Sequence, residues 1–223
     1  MEYHLDAELR RMSGKAIWNS SFESFTAVLE LLDDQHGDIL RQSFLWPLYQ
    51  LREVQYSGQI IDALLCRLLR PVDGDSLQFD LGGKVVSFSI FEFTLITGLK
   101  ITGDDAAMER SSRLYETYFQ GHGSVLLPDL MVAIRGCDHM LDRLKLGLVY
   151  ILESVMRCHH KKTVIDIFHW QVVDDIDAFN NYPWGRRCYE DTVHVFTRSH
   201  SRPRGSMRKY DTYGLPLAVQ VNV

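Results

Sequence analysis

The sequence predicts a mainly α (α+β) fold, a helical core packed on one small β-hairpin. Three features carry that expectation. Apolar residues recur at helical spacing through Ile60, Ile61, Leu64, Leu65, Leu68 and Leu69, and in a wider stripe through Met140, Leu141, Leu144, Leu148, Ile151, Leu152 and Val155. One stretch alone has a strong β pattern: Leu77–Leu81 and Lys84–Phe88 flank Gly82-Gly83, a two-residue connection able to take the positive φ angles of a tight hairpin. The hydrophobic share of 46% and charged share of 24% suit a chain that buries a real core, and no internal repeat interrupts it.

Each element follows from a local signal. Residues 1–19 read as an N-terminal extension and 20–223 as a single helix-rich domain. The first helix is expected near Ser20, where Ser20-x-x-Glu23 has capping-box spacing and Phe22, Phe25, Val28, Leu29 and Leu32 share a face; Gly37 then lets the chain leave. The second helix runs through Leu69 to a stop at Pro71. After the hairpin, Ser89-x-x-Glu92 opens a short helix through Phe91, Leu95 and Ile96, which Gly98 terminates in the left-handed conformation. Its apolar side is expected to be covered by other helices. The pattern loosens from Lys100 to Gly123, and Asp138 is the expected cap of the Met140 stripe. Further helices are expected around Val164–Val172 and Arg187–Arg198, with Ser199–Lys209 a polar loop.

Charge and cysteine usage bound the setting. The net charge is −5, yet Arg186, Arg187, Arg198, Arg202, Arg204, Arg208 and Lys209 stand against only Glu190 and Asp191 in that region. The N-terminus lacks a basic region followed by an apolar block, and the longest apolar stretch, Leu146–Leu152, is too short to cross a bilayer. Cys66, Cys137, Cys158 and Cys188 are scattered without close pairing and read as reduced, mostly buried thiols, as expected of an intracellular protein.

Three blocks then resemble a known family. They are Ser87-Phe-Ser-Ile-Phe-Glu-Phe-Thr-Leu-Ile-Thr-Gly-Leu99; Asp174-Asp175 with Phe179-Asn180 and Tyr182-Pro183-Trp184-Gly185-Arg186; and Tyr213-Gly214-Leu215-Pro216-Leu217-Ala218. Together they resemble a plant domain of unknown function common in transposon-derived genes. That domain often lies upstream of a Ulp-type cysteine protease domain, the class that cleaves SUMO. The hairpin with Ile96-Thr97-Gly98-Leu99-x-x-x-Gly103 also resembles the plant mobile domain, another transposon-linked module. The first family continues past the third block with a helix containing Trp and an acidic residue, whereas this sequence ends at Gln220-Val221-Asn222-Val223. The resemblance therefore implies a C-terminal truncation and no protease activity in this chain.

Several groups mimic active sites. His169-Trp170, followed by Asp174, Asp175, Asp177 and Cys188, has the residue order of a Ulp protease. Arg187-Cys188-Tyr189 lacks the Gln, Asp and Gly around such a nucleophile, and the His-to-Cys interval is too short for a protease core. A structural role is expected for both. Cys158-His159-His160 with His169, Cys188 and His194 offers zinc-ligand types at the wrong spacing, and reads as a solvated helix end. Asp174, Asp175 and Asp177 could serve a metal-dependent enzyme; the plainer reading has one capping a turn and the others facing water. Gly82-Gly83-Lys84 is no phosphate loop, since it joins two strands. Tyr182-Pro183-Trp184-Gly185 reads as a rigid aromatic turn plugging the core; the alternative displays Trp184, with Tyr182 and Arg186, to a partner. Arg198, Arg202, Arg204, Arg208 and Lys209, near Tyr210 and Tyr213, are the candidate nucleic-acid contacts.

The favoured function is a non-catalytic interaction domain of a plant transposon-derived protein, with an unidentified protein partner. The alternative is a nucleic-acid-binding module using 186–209, and the third reading a metal-dependent enzyme using the carboxylates of 174–177. No cofactor, bound metal or membrane contact is expected. The compartment is intracellular, the nucleus being implied by the transposon association, and the oligomeric state is left open.

Overall fold

The structure, a computed structural model, describes residues 2–11, 14–70, 76–103, 111–120, 123–158, 163–198 and 208–223. Among them the chain is mainly helical with two small two-stranded sheets. Helix starts follow side-chain chemistry: Asp33, Ser57, Ser89, Ser112, Asp166 and Asp175 each accept a hydrogen bond from a first-turn N–H, satisfying donors that a helix start leaves without partners. The N-terminal part comprises α1 (Ala7–Arg10), β1 (Gly14–Trp18), α2 (Glu23–Leu29), α3 (Asp34–Gln42) and α4 (Trp46–Tyr49), which runs into a 3-10 turn (Gln50–Glu53), then α5 (Gly58–Leu65). The hairpin β2 (Leu77–Leu81) and β3 (Lys84–Phe88) feeds α6 (Ile90–Thr97). Then come α7 (Arg113–Phe119), α8 (Leu127–Gly136) and α9 (Met140–Ile151), which continues as a π-helical segment (Leu152–Arg157). The chain finishes through α10 (Ile167–Val173), α11 (Ile176–Asn181), α12 (Trp184–Thr197), β4 (Arg208–Thr212) and α13 (Pro216–Asn222).

The hairpin has the expected register, Leu77 opposite Phe88 through Leu81 opposite Lys84, with Gly82 and Gly83 at φ 67° and 88°. Its buried face, Leu77, Phe79 and Phe88, packs on α12: Phe79 meets Phe196 edge-on at 5.8 Å, and Phe88 lies 6.1 Å from Tyr189. Ser89 and Glu92 form the anticipated capping box, and Gly98 closes α6 at φ 69° with its N–H on the Thr94 carbonyl at 2.8 Å. α9 lies at the centre, buried on nearly every side from Leu144 to Val149, with α2, α3, α8 and α10 against it.

Several expectations need correction. Ser20 is not a helix cap: α2 starts at Glu23 without a side-chain cap, and Ser20 Oγ donates instead to the Val155 carbonyl at 3.2 Å. Gly37 does not release the chain but sits inside α3, which Asp33 starts. The second helix stops at Leu65, because Leu68 and Leu69 leave the helix for bridges to Phe79 and Tyr3; Pro71 lies outside the described residues. His139, not Asp138, caps α9, its Nδ1 accepting from Asp142 N–H at 3.3 Å. Residues 14–18, read as part of an extension, form β1, which pairs in parallel with β4 from Gly14 opposite Arg208 to Trp18 opposite Thr212. Arg208 and Lys209 are thus in a strand rather than a loop, and the hairpin is joined by a second sheet.

A polar network ties α7 to α8 and α9. The Asp142 side chain is 6% exposed and meets the Arg113 guanidinium through both oxygens, while Tyr118 donates to its Oδ2 at 3.0 Å and also contacts Cys137 Sγ at 3.1 Å. Burial opposes ionisation of Asp142, but the bonds from Arg113 and Tyr118 outweigh it and hold the carboxyl below its ordinary value. A depressed folded value gives stability that is fully present above the unfolded carboxylate value of about 4 and is lost as pH falls through the folded one. Asp142→Asn is therefore expected to cost about 1–3 kcal/mol at neutral pH. Denaturant titrations from pH 7 to 3 should show the native and variant stabilities converging as acid protonates Asp142; parallel curves would refute the assignment.

Candidate functional site

The aromatic turn is a plug. Trp184 opens α12 at 1% exposure, and its Nε1 donates to the Phe179 carbonyl at 2.7 Å. Its ring lies among Phe44, Phe168, Phe179, Tyr182 and His169, with centroids 4.6–6.0 Å away. Gly185 lets this turn seat against the segment that follows α6: its N–H meets the Lys100 carbonyl at 3.0 Å, where a Cβ would come within 2.5 Å of that oxygen. The display of Trp184 to a partner is thus not what the fold presents. Tyr182 is half-buried, while Arg186 is exposed and bonds the Ile101 carbonyl through Nε at 3.3 Å.

The mimics of catalytic groups are dispersed into structural partnerships. His169 is 1% exposed, with its Nδ1 against Glu153 Oε1 inside the core, while Nε2 has no hydrogen-bond partner among the described residues. The neighbouring Trp170 packs on Phe119 at 5.1 Å, as a core residue. Cys188 is buried, with Sγ 3.7 Å from the Met156 carbonyl, and burial pushes its thiol well above the ordinary value, away from the reactive thiolate. Cys158 is not at a solvated helix end but buried, its Sγ accepting from Trp18 Nε1 at 2.9 Å and contacting the Gly214 carbonyl at 3.3 Å; His159 and His160 lie outside the described residues. Asp174 accepts from Leu114 N–H, Asp175 caps α11, and Asp177 faces solvent. Among the described residues, no three His, Cys, Asp or Glu side chains converge as a metal site would require, and no helix is long and apolar enough to cross a membrane.

The basic candidates divide similarly. Arg198 lies over the Tyr213 ring at 5.4 Å and bonds the Asp211 carbonyl, and the Tyr213 hydroxyl meets His194 Nδ1. Lys209 is exposed on β4, whose strand also contains Arg208. Arg202 and Arg204 lie outside the described residues.

The expectation that other helices cover the apolar side of α6 fails in part. α6 buries Phe93 and Thr97 but leaves Phe91 75% and Leu95 88% exposed, one turn apart on the same face. Val85 on the adjoining β3 is 47% exposed. Beside α6, a cleft of about 410 Å³ runs along α12, lined by Ser89, Ile90, Arg186, Tyr189, Glu190 and His194 among others. The signal in the sequence was that Ile90, Phe91, Phe93, Leu95 and Ile96 leave α6 without a polar face, more apolar surface than its contacts with α12 and α13 cover.

A family model described as "Domain of unknown function (DUF1985)" matches residues 65–195, more than half of the sequence. The chain belongs to this family. The DUF1985 match takes in the hairpin, α6 and most of α12, and so both walls of the cleft; it includes the first two signature blocks but not the third. No curated protein and no solved structure matches the chain.

The plug predicts a large stability effect. Trp184→Ala is expected to cost about 3–5 kcal/mol by opening a cavity among those rings. Tyr182→Ala, at a half-buried ring, should cost clearly less. Equal losses in denaturant titrations of the two variants would show that Trp184 is not the anchor of the cluster.

Proposed function

We propose that this chain is a non-catalytic interaction domain of a plant transposon-derived protein, and that it binds a protein partner through the exposed face of α6. The exposure of Phe91 and Leu95 carries this reading. Two large apolar side chains one helical turn apart, on a helix whose first residue, Ile90, lines the cleft with Arg186, supply the apolar anchors and the arginine of an interface hot spot. The commitment of His169, Cys188 and Asp175 to internal partners supports a binding role over a catalytic one. The plant, transposon and Ulp-protease associations rest on the resemblance of the three sequence blocks, and a nuclear location goes with them.

The test is affinity capture from plant nuclear extract with the native chain, Phe91→Asp and Leu95→Asp. Both substitutions fall on solvent-facing positions and should change stability by less than about 0.5 kcal/mol. The partner captured by the native protein should be held at least about tenfold more weakly by either variant, a loss of about 1.4 kcal/mol. Equal capture by all three proteins, or cleavage of a SUMO-linked substrate that Cys188→Ser abolishes, would overturn the reading.

A further inference from the structure

The hairpin has one edge bridged by the chain and one open edge. Leu81 and Lys84 flank the two-residue loop and form the hydrogen-bonded pair that closes it. Alternation along an antiparallel ladder then makes Phe79–Val86 and Leu77–Phe88 hydrogen-bonded pairs. It turns the N–H and C=O of Gln78 and Asp80 outward on β2, and those of Val85 and Ser87 outward on β3. On β2 the edge is covered by the Leu68–Phe79 bridge, with Asp80 N–H donating to the Arg67 carbonyl at 3.0 Å and the Gln78 carbonyl accepting from Leu69 N–H at 2.8 Å. On β3 only the Ser87 carbonyl has a partner, Asn222 Nδ2 at 3.0 Å. The N–H groups of Val85 and Ser87 and the Val85 carbonyl have none among the described residues.

The charges beside this edge are unbalanced in the same way. Lys84 is exposed and has no ion-pair partner among the described residues. The nearby carboxylates are already engaged, Asp80 by the Tyr3 hydroxyl at 2.5 Å and Gly83 N–H at 2.7 Å, Glu92 by Ser89. A lysine on an open edge discourages pairing with an apolar strand that brings no counter-charge. A strand carrying a carboxylate would instead gain a cross-strand ion pair.

We propose that the outer edge of β3 is a strand-addition site for an extended acidic–apolar segment of the partner. The segment pairs its backbone with Val85 and Ser87, sets a carboxylate against Lys84, and lays apolar side chains on Val85 and towards the exposed start of α6. This rests on the interaction reading above and adds the conformation and chemistry of what binds. Strand addition fits better than a docked helix, because a helix has no free backbone groups with which to meet three outward-facing ones.

The test selects binders to the full chain from a displayed library of random short peptides. Enriched sequences should alternate apolar and polar residues and include Asp or Glu. On binding, the Val85 and Ser87 amides should become protected from hydrogen exchange by at least about tenfold, and N-methylation of alternate peptide nitrogens should abolish binding. Val85→Pro removes a donor that the hairpin itself does not use, at an edge position that tolerates proline. It should weaken the peptides at least tenfold, and Lys84→Glu should weaken the acidic ones. If Val85→Pro does not fold, the N-methylated peptides decide alone. No enriched peptide, helical binders, or binders that leave the two amides unprotected would overturn strand addition. In each of those cases the interaction reading still stands if Phe91→Asp and Leu95→Asp lose the partner captured from extract, and falls if they retain it.

Discussion

The fold depends on how one buried helix ends. α9 runs through the centre of the protein and widens into the π-helical segment Leu152–Arg157, of which Leu152 to Met156 are buried. The last carbonyls of a helix have no partner within it, and in a core no water replaces one. Other elements supply the donors. Cys158 N–H closes back on the Glu153 carbonyl at 2.7 Å, Ser21 N–H reaches the Ser154 carbonyl at 3.1 Å, Ser20 Oγ the Val155 carbonyl, and Cys188 Sγ lies against that of Met156. The segment also holds side chains in place: Ser154 Oγ donates to Ser24 Oγ at 2.7 Å, and Arg157 pairs with Asp191 at 2.9 Å. The approach to α2 and the face of α12 are thereby fixed to one helix end.

That dependence separates what the sequence could reveal from what it could not. The hairpin, the Ser89–Gly98 helix and the Asp175 cap are set by residues a few positions apart, so local patterns find them. Ser20 carries the same local signal as Ser89 but caps no helix, because the Val155 carbonyl, distant in sequence, takes its hydroxyl. α3 and α7 escape a local reading because they are short, nine and seven residues, and bury few apolar side chains, Leu40 in α3 and Leu114 with Phe119 in α7, so their helicity depends on packing. The β1–β4 pair joins segments that no window of sequence places together.

The candidate sites divide along the same line. Trp184 as a plug could be read from its type and its Pro-Trp-Gly setting, and the scattering of thiols and histidines from their spacing. Which side of α6 would face water could not be read, because Phe91, Phe93, Leu95 and Ile96 look alike in sequence and only the placement of α12 and α13 distinguishes them. Thus the first signature block serves two purposes at once. Its Ser89 and Gly98 delimit a helix for the fold, while Phe91 and Leu95 add nothing to the core.

The parallel pairing of β1 with β4 has a kinetic consequence. Gly14 and Arg208 stand near opposite ends of the sequence, so this sheet cannot form on a ribosome until almost all the described residues have emerged. Closing so large a loop carries an entropic cost that is recovered only late, after the helices between have condensed. The nascent chain must therefore hold β1 without its partner strand until β4 has been made, an interval in which a chaperone, or a strand from another molecule, can reach it.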